Sequence, residues 1–167
     1  MSPSRTGPET GRPVTAPEID NAGLAGHERL RLVVGVDGSY GSHLALKWAA
    51  AQARDRHATL DIVAVWEQLV PPDPEVARHP DGQLHAARER LERALTLLAE
   101  ERALPEHVIT APLHGPPGEQ LVRRAREAEL LVLGTTGISS PEIPGGIGLY
   151  CLRHSTTPVV FVPAPSP

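Results

Sequence analysis

Five short runs rich in branched apolar residues recur along the chain, and between them lie segments whose apolar residues fall three or four apart. The first run, "RLRLVVGVD" (29–37), is almost continuously apolar and ends in "DGSYGS", the pattern of a buried strand feeding a turn. From Ser42, residues Leu44, Ala45, Trp48, Ala49 and Gln52 fall on one helical face. "ATLDIVAVWE" (58–67) reads as a second strand. Leu84, Ala87, Leu91, Ala94, Leu95 and Leu98 then define an amphipathic helix over 81–102. "EHVITAPLH" (106–114) is a third strand, and 117–128 a short helix with Pro117 suited to its first turn. "ELLVLG" (129–134), a glycine-started helix at 145–154 and "TPVVFVP" (157–163) complete the alternation.

Strands that are apolar on both faces must be covered on both faces. Strand–helix alternation therefore predicts an α/β fold: a doubly wound, five-stranded parallel sheet with helices on both faces. Connections of this length suit right-handed crossovers. At 167 residues the chain is expected to form one domain. Residues 1–28, with four prolines, four glycines and few large apolar side chains, read as a disordered tail. The folded unit is then 29–163, followed by a short proline-rich tail at 164–167.

The net charge of −4 offers no overall attraction to nucleic acid or to anionic membranes, and neither is expected as a partner. Cys151 is the only cysteine, so no internal disulfide and no thiolate zinc site can form. With no apolar run of membrane-spanning length and no leader pattern, the expectation is a soluble cytoplasmic protein. The eight histidines contain neither H-E-x-x-H nor H-x-H, and no metal site is expected.

In such sheets ligands sit beyond the strand C-termini, so Asp37 to Ser42, Val65 to Glu67 and His114 to Gly118 are the positions to weigh. Asp37 can accept hydrogen bonds from a ribose or base, while Ser39 or Ser42 can hold an anion or simply cap the next helix. "DGSYG" lies near the G-x-S-x-G nucleophile elbow, yet Asp37 replaces its first glycine and no histidine or acid is singled out as a partner. His114, in "LHGPPG", is either a general base or phosphate binder facing the crevice, or a solvent-edge residue. "RRAR" (123–126) reads as the wet face of a short helix, and Cys151 as a core filler.

"VVGVDGSYGSHLALKWAAAQA", "HGPPGEQLVRRAREAELLVLGTTG" and "LRHSTTPVVFVP" together resemble the universal stress protein family, in order and over about 30–163. The resemblance implies strand order 3-2-1-4-5 and a homodimer paired through the last strand. It also implies adenine-nucleotide binding, ATP in many members. Asp37 matches the family's adenosine-contacting aspartate and Val65 the hydrophobic residue late in the second strand. Gly134 and Gly137 open the phosphate loop, whose pattern is G-x2-G-x9-G-S/T.

The loop then departs from that pattern. If Gly145 and Gly146 form the second half, only seven residues separate Gly137 from Gly145, and Gly146 stands where a serine or threonine belongs. Counting nine residues forward instead reaches Ile147. Pro141 and Pro144 lack an N–H, and Glu142 adds negative charge. Losing a hydroxyl and one amide, each worth about 1.5–3 kcal/mol against a charged group, lowers affinity roughly 100-fold or more. The expectation is a regulatory, ligand-responsive binding module, not an efficient enzyme, with weak or absent ATP binding. Two alternatives stay open: a crevice repurposed for catalysis or another small molecule, using Asp37 and His114, and a protein-interaction scaffold.

Overall fold

The computed structural model describes residues 29–67, 82–135 and 146–165. Within them the elements run β1 (Arg31–Gly35), α1 (Tyr40–Asp55), β2 (Thr59–Trp66), α2 (Gly82–Glu100), β3 (His107–His114), α3 (Pro117–Ala125), β4 (Leu130–Gly134), α4 (Gly146–His154) and β5 (Val159–Val162). Each matches a sequence-predicted segment to within a few residues at either end. Residues 1–28, expected to be a tail, lie outside the described residues, as do Gly137, Pro141, Glu142, Pro144 and Gly145 of the altered loop.

All strand pairs are parallel and their order is β3-β2-β1-β4-β5. The chain winds outward from β1 to β3, then returns to the other side of β1 to lay down β4 and β5. The reversal lies between β1 and β4, so a ligand crevice is expected beyond the carboxyl ends of those two strands.

Alternating side chains send the sheet into two separate cores. Leu32 and Val34 of β1 and Leu60 and Ile62 of β2 pack with Ala45, Leu46, Ala49 and Ala50 of α1 and with Ala87, Leu91 and Leu98 of α2. On the opposite face Val33, Val63, Leu131 and Leu133 meet Leu121 and Ala125 of α3 and Cys151 of α4. The buried stripe of α1 is Ala45, Leu46, Ala49, Ala50 and Ala53, whereas Leu44, Trp48 and Gln52 are only half-buried. The stripe is thus turned from the expected one, because the small alanines are the side chains that let the helix lie close to the sheet.

Helix ends are closed locally. Ser39 is the N-cap of α1: its Oγ accepts from the Ser42 amide at 3.2 Å, and the Ser42 hydroxyl donates to the Ser39 carbonyl at 2.9 Å. Behind α1, the Ala58 amide donates to the Ala53 carbonyl at 2.8 Å and His57 takes φ +50°, a left-handed C-terminal cap made without glycine. Behind α2, the Ala103 amide donates to the Leu98 carbonyl at 2.7 Å, with Arg102 at φ +53°.

Candidate functional site at the sheet reversal

The crevice is built where β1, β2 and β4 end together. Past Gly35 the β1 backbone continues one residue in register, the Val36 amide donating to the Val63 carbonyl at 2.8 Å. This carries Asp37 to the level of Val65 near the end of β2. Asp37 is half-buried and its Oδ1 accepts from the Ser39 amide at 2.9 Å, a side chain closing its own turn. Gly38 holds φ +87°, a conformation that L side chains rarely adopt, so the turn between Asp37 and the Ser39 cap needs glycine.

Gly134 closes the other wall. A Cβ placed on it would lie 2.4 Å from the Gly41 carbonyl carbon and 2.9 Å from the Ser42 nitrogen, both backbone atoms. The end of β4 therefore rests directly on the backbone of the first turn of α1, and only a residue without a Cβ at 134 permits the approach. Gly134 has a packing reason to be glycine whatever a phosphate requires. Gly146 differs: it opens α4, is exposed, and a Cβ there would meet nothing within 4 Å.

Asp37, Val65 and Gly134 thus gather at one edge of the sheet. His114 does not join them closely. It ends β3, two strand spacings from β1, or about 10 Å between backbones. Its exposed ring lies against Trp66 at 4.3 Å between centroids. This is an exposed position at the C-terminal end of β3.

One buried cluster escaped the reading of the sequence. Asp61, in the middle of β2, has a fully buried side chain, and two arginines hold it. Arg31 Nη1 lies 2.9 Å from Oδ2; Arg124 donates through Nε at 2.7 Å and through Nη2 to Oδ1 at 3.2 Å. Arg31 also donates to the Arg124 and Arg126 carbonyls at 3.1 and 2.9 Å, closing the C-terminal end of α3. The "RRAR" stretch is therefore not wholly a wet face: Arg123 and Arg126 are exposed, but Arg124 turns inward to Asp61. The lone acid in "TLDIVAVW" was the available signal, since a carboxylate inside a buried strand demands a cation.

Cys151 is fully buried in the second core, its Sγ 3.9 Å from the Gly118 carbonyl. Burial pushes the thiol from its ordinary 9.0 up to about 11, only partly offset by backbone hydrogen bonding. That is the opposite of an activated nucleophile, and agrees with its reading as a core filler. Among the described residues no cluster of three or more His, Cys, Asp or Glu could hold a metal ion. No helix among them is long and apolar enough to cross a membrane.

Comparison with known proteins places this geometry. The profile of the universal stress protein family matches residues 28–163. The chain is 30% identical over 149 residues to the universal stress protein Rv2623 of Mycobacterium tuberculosis, covering 83% of this chain and 49% of the relative. The matches span only 38–49% of the length of the curated relatives. Among solved structures it resembles the universal stress protein UspA from Lactobacillus plantarum with a TM-score of 0.68 at 22% identity, over 81% of this chain and 99% of the other. A universal stress protein solved in complex with cAMP is similar at 28% identity and a TM-score of 0.58, over 80% of this chain and 96% of the other. With the sheet order, the Asp37 turn and a family profile that spans the folded unit, the chain belongs to the universal stress protein family.

Proposed function

We propose that the chain is a cytoplasmic, ligand-responsive binding module that takes an adenine nucleotide in the crevice between β1 and β4, and holds a triphosphate weakly or not at all. The observation carrying this reading is the meeting of Asp37, Val65 and Gly134 at the sheet reversal. Asp37 supplies an acceptor for the adenosine part and Val65 an apolar wall, while Gly146 offers no hydroxyl to a terminal phosphate. The similar protein solved with cAMP supports a nucleotide bearing few phosphates as the ligand.

Titration calorimetry of the full chain with adenosine, AMP, cAMP and magnesium ATP tests this. The expected order has AMP or cAMP at least as tight as ATP, with Asp37→Ala weakening all of them. Low-micromolar magnesium-dependent ATP binding would overturn the weak-triphosphate reading. Gly146→Ser sharpens the test, because the space around that position is open. One restored hydrogen bond to a charged phosphate, worth about 1.5 kcal/mol or more, tightens ATP roughly ten-fold and leaves adenosine unchanged.

The same reading includes a homodimer paired through β5. All four residues of β5 are only half-buried, and Leu149 and Leu152 on α4 are 44% and 60% exposed. An edge strand and exposed leucines are surface that a second copy can cover. Sedimentation of the wild type as a dimer, and of Leu149→Glu with Leu152→Glu as a monomer, is the expected outcome. A monomeric wild type at high concentration refutes the pairing.

A further inference from the structure

Between the end of β3 and the exposed side of α3 lies a cleft of about 250 Å3, lined by Leu113, Gln120, Arg123 and Arg124. It is built from residues that the nucleotide crevice does not use. Among the described residues its polar lining consists of two guanidiniums and one carboxamide, without a carboxylate.

The charge there is in excess. Asp61 is one carboxylate shared by two arginines, Arg31 and Arg124, and its side chain is fully buried behind them. Arg123 adds a third cation, and its side-chain partner is the neutral Gln120 carbonyl. Asp61 thus offsets only one of its two arginines, and Arg123 stands against a neutral partner. Glu119 and Glu127, the nearest acids in sequence, are exposed and do not line the cleft.

The donors are also held in place. Two hydrogen bonds to Asp61 fix the plane of Arg124. Gln120 is 7% exposed, and its carbonyl, by accepting from Arg123, orients that guanidinium. The Gln120 amide lies over Gly115, where a Cβ would stand 2.7 Å from Nε2. Leu113 adds an apolar wall. Fixed forked donors beside apolar surface match the planar or tetrahedral oxygens of a small oxyanion carried on a short apolar stem.

We propose that this cleft is a second ligand site, selective for a small organic oxyanion, a carboxylate or a phosphate monoester, and separate from the nucleotide crevice. Arg123 is its principal exposed cation, and Arg124, preset by Asp61, is the second.

The test follows the Gln120 side-chain amide and the Leu113 methyl signals by NMR in the full chain. Inorganic phosphate and isobutyrate are titrated separately at constant ionic strength, with chloride as the balancing ion. Saturable shifts at both groups are expected, with at least ten-fold weaker binding in Arg123→Gln and an unchanged melting temperature, since Arg123 is exposed. Saturation by phosphate alone or by isobutyrate alone supports the site and identifies which oxyanion it prefers. Shifts that rise linearly without saturating, or that Arg123→Gln leaves intact, overturn the proposal. Shifts that follow protein concentration without added anion give the cleft to a carboxylate of a second copy, and also overturn it.

Discussion

The two faces of the sheet are finished in different ways. Under α1 and α2 the core is built mainly from leucine, valine, isoleucine and a run of alanines, and most of these side chains are fully buried. Under α3 and α4 the apolar cluster is smaller. It shares the interior with Asp61 and its two arginines, with Gln120, and with Thr157, whose hydroxyl donates to the Ala125 carbonyl at 2.6 Å. The first face is held by area removed from water. The second is held more by specific polar contacts that fix where α3 and β5 lie, and it leaves Leu149 and Leu152 of α4 exposed.

The contact most able to break this picture joins β4 to the first turn of α1. Gly134→Ala forces a methyl into backbone 2.4 Å away, with no flexible side chain to yield. A loss of at least about 3 kcal/mol in denaturant unfolding is expected, at the upper end of overpacking costs. The loss is expected without any nucleotide, which separates the packing role of Gly134 from a phosphate role.

Paired truncations test the contrast directly. Leu46→Ala in the fully buried first core is expected to cost about 3–4 kcal/mol, and Leu121→Ala in the second about 2 kcal/mol. Equal losses would mean that the second core is as tightly filled as the first. Asp61→Asn follows, at about 2 kcal/mol. It falls below the roughly 3–5 kcal/mol of a fully buried pair because Arg31 and Arg124 keep 25% and 34% of their side-chain exposure and can be hydrated. Replacing Asp61, Arg31 and Arg124 together by Leu, Met and Met should restore much of that loss, whereas a single substitution cannot.

Cys151 gives the smallest effect near neutral pH. The unfolded thiol loses its proton around 9.0 and the folded one around 11, so between those values the unfolded state binds fewer protons. Stability is unaffected below pH 9 and falls as pH rises from 9 towards 11, by up to about 2–3 kcal/mol. Cys151→Ala should flatten that alkaline limb. At pH 8 the wild-type thiol should react with a small alkylating reagent only as fast as the chain opens.

Much of the fold was legible in the order of residues. Apolar runs such as "LVVGV" and "LLVLG" read as strands covered on both sides, and of the helical stripe from Leu84 to Leu98, Ala87, Leu91, Ala94 and Leu98 return as the buried face of α2. Ser39 was one of two capping candidates, and the geometry selects it. Asp37 stood out because it ends an apolar strand before glycine and serine. Arg124 did not stand out: its neighbours Arg123 and Arg126 are wet, and only the position of β2 behind α3 gives it a reason to turn inward. The rotation of α1 was hidden for a related reason, since alanine and leucine positions look interchangeable until the distance between helix and sheet is known.

By itself the sequence determined the parallel α/β class, the five strands and four helices, and the placing of Asp37 at a strand end. Local periodicity and turn chemistry act over a few residues, so they are written in the chain directly. The tertiary structure decided what required distant segments to meet. It set Gly134 against Gly41, ninety-three positions away in sequence, and placed a buried carboxylate of β2 between guanidiniums from β1 and α3. It also separated His114 from Asp37 by the width of two strand spacings. Sterics and Coulomb attraction act through space, and only the folded sheet fixes which residues are near enough to feel them.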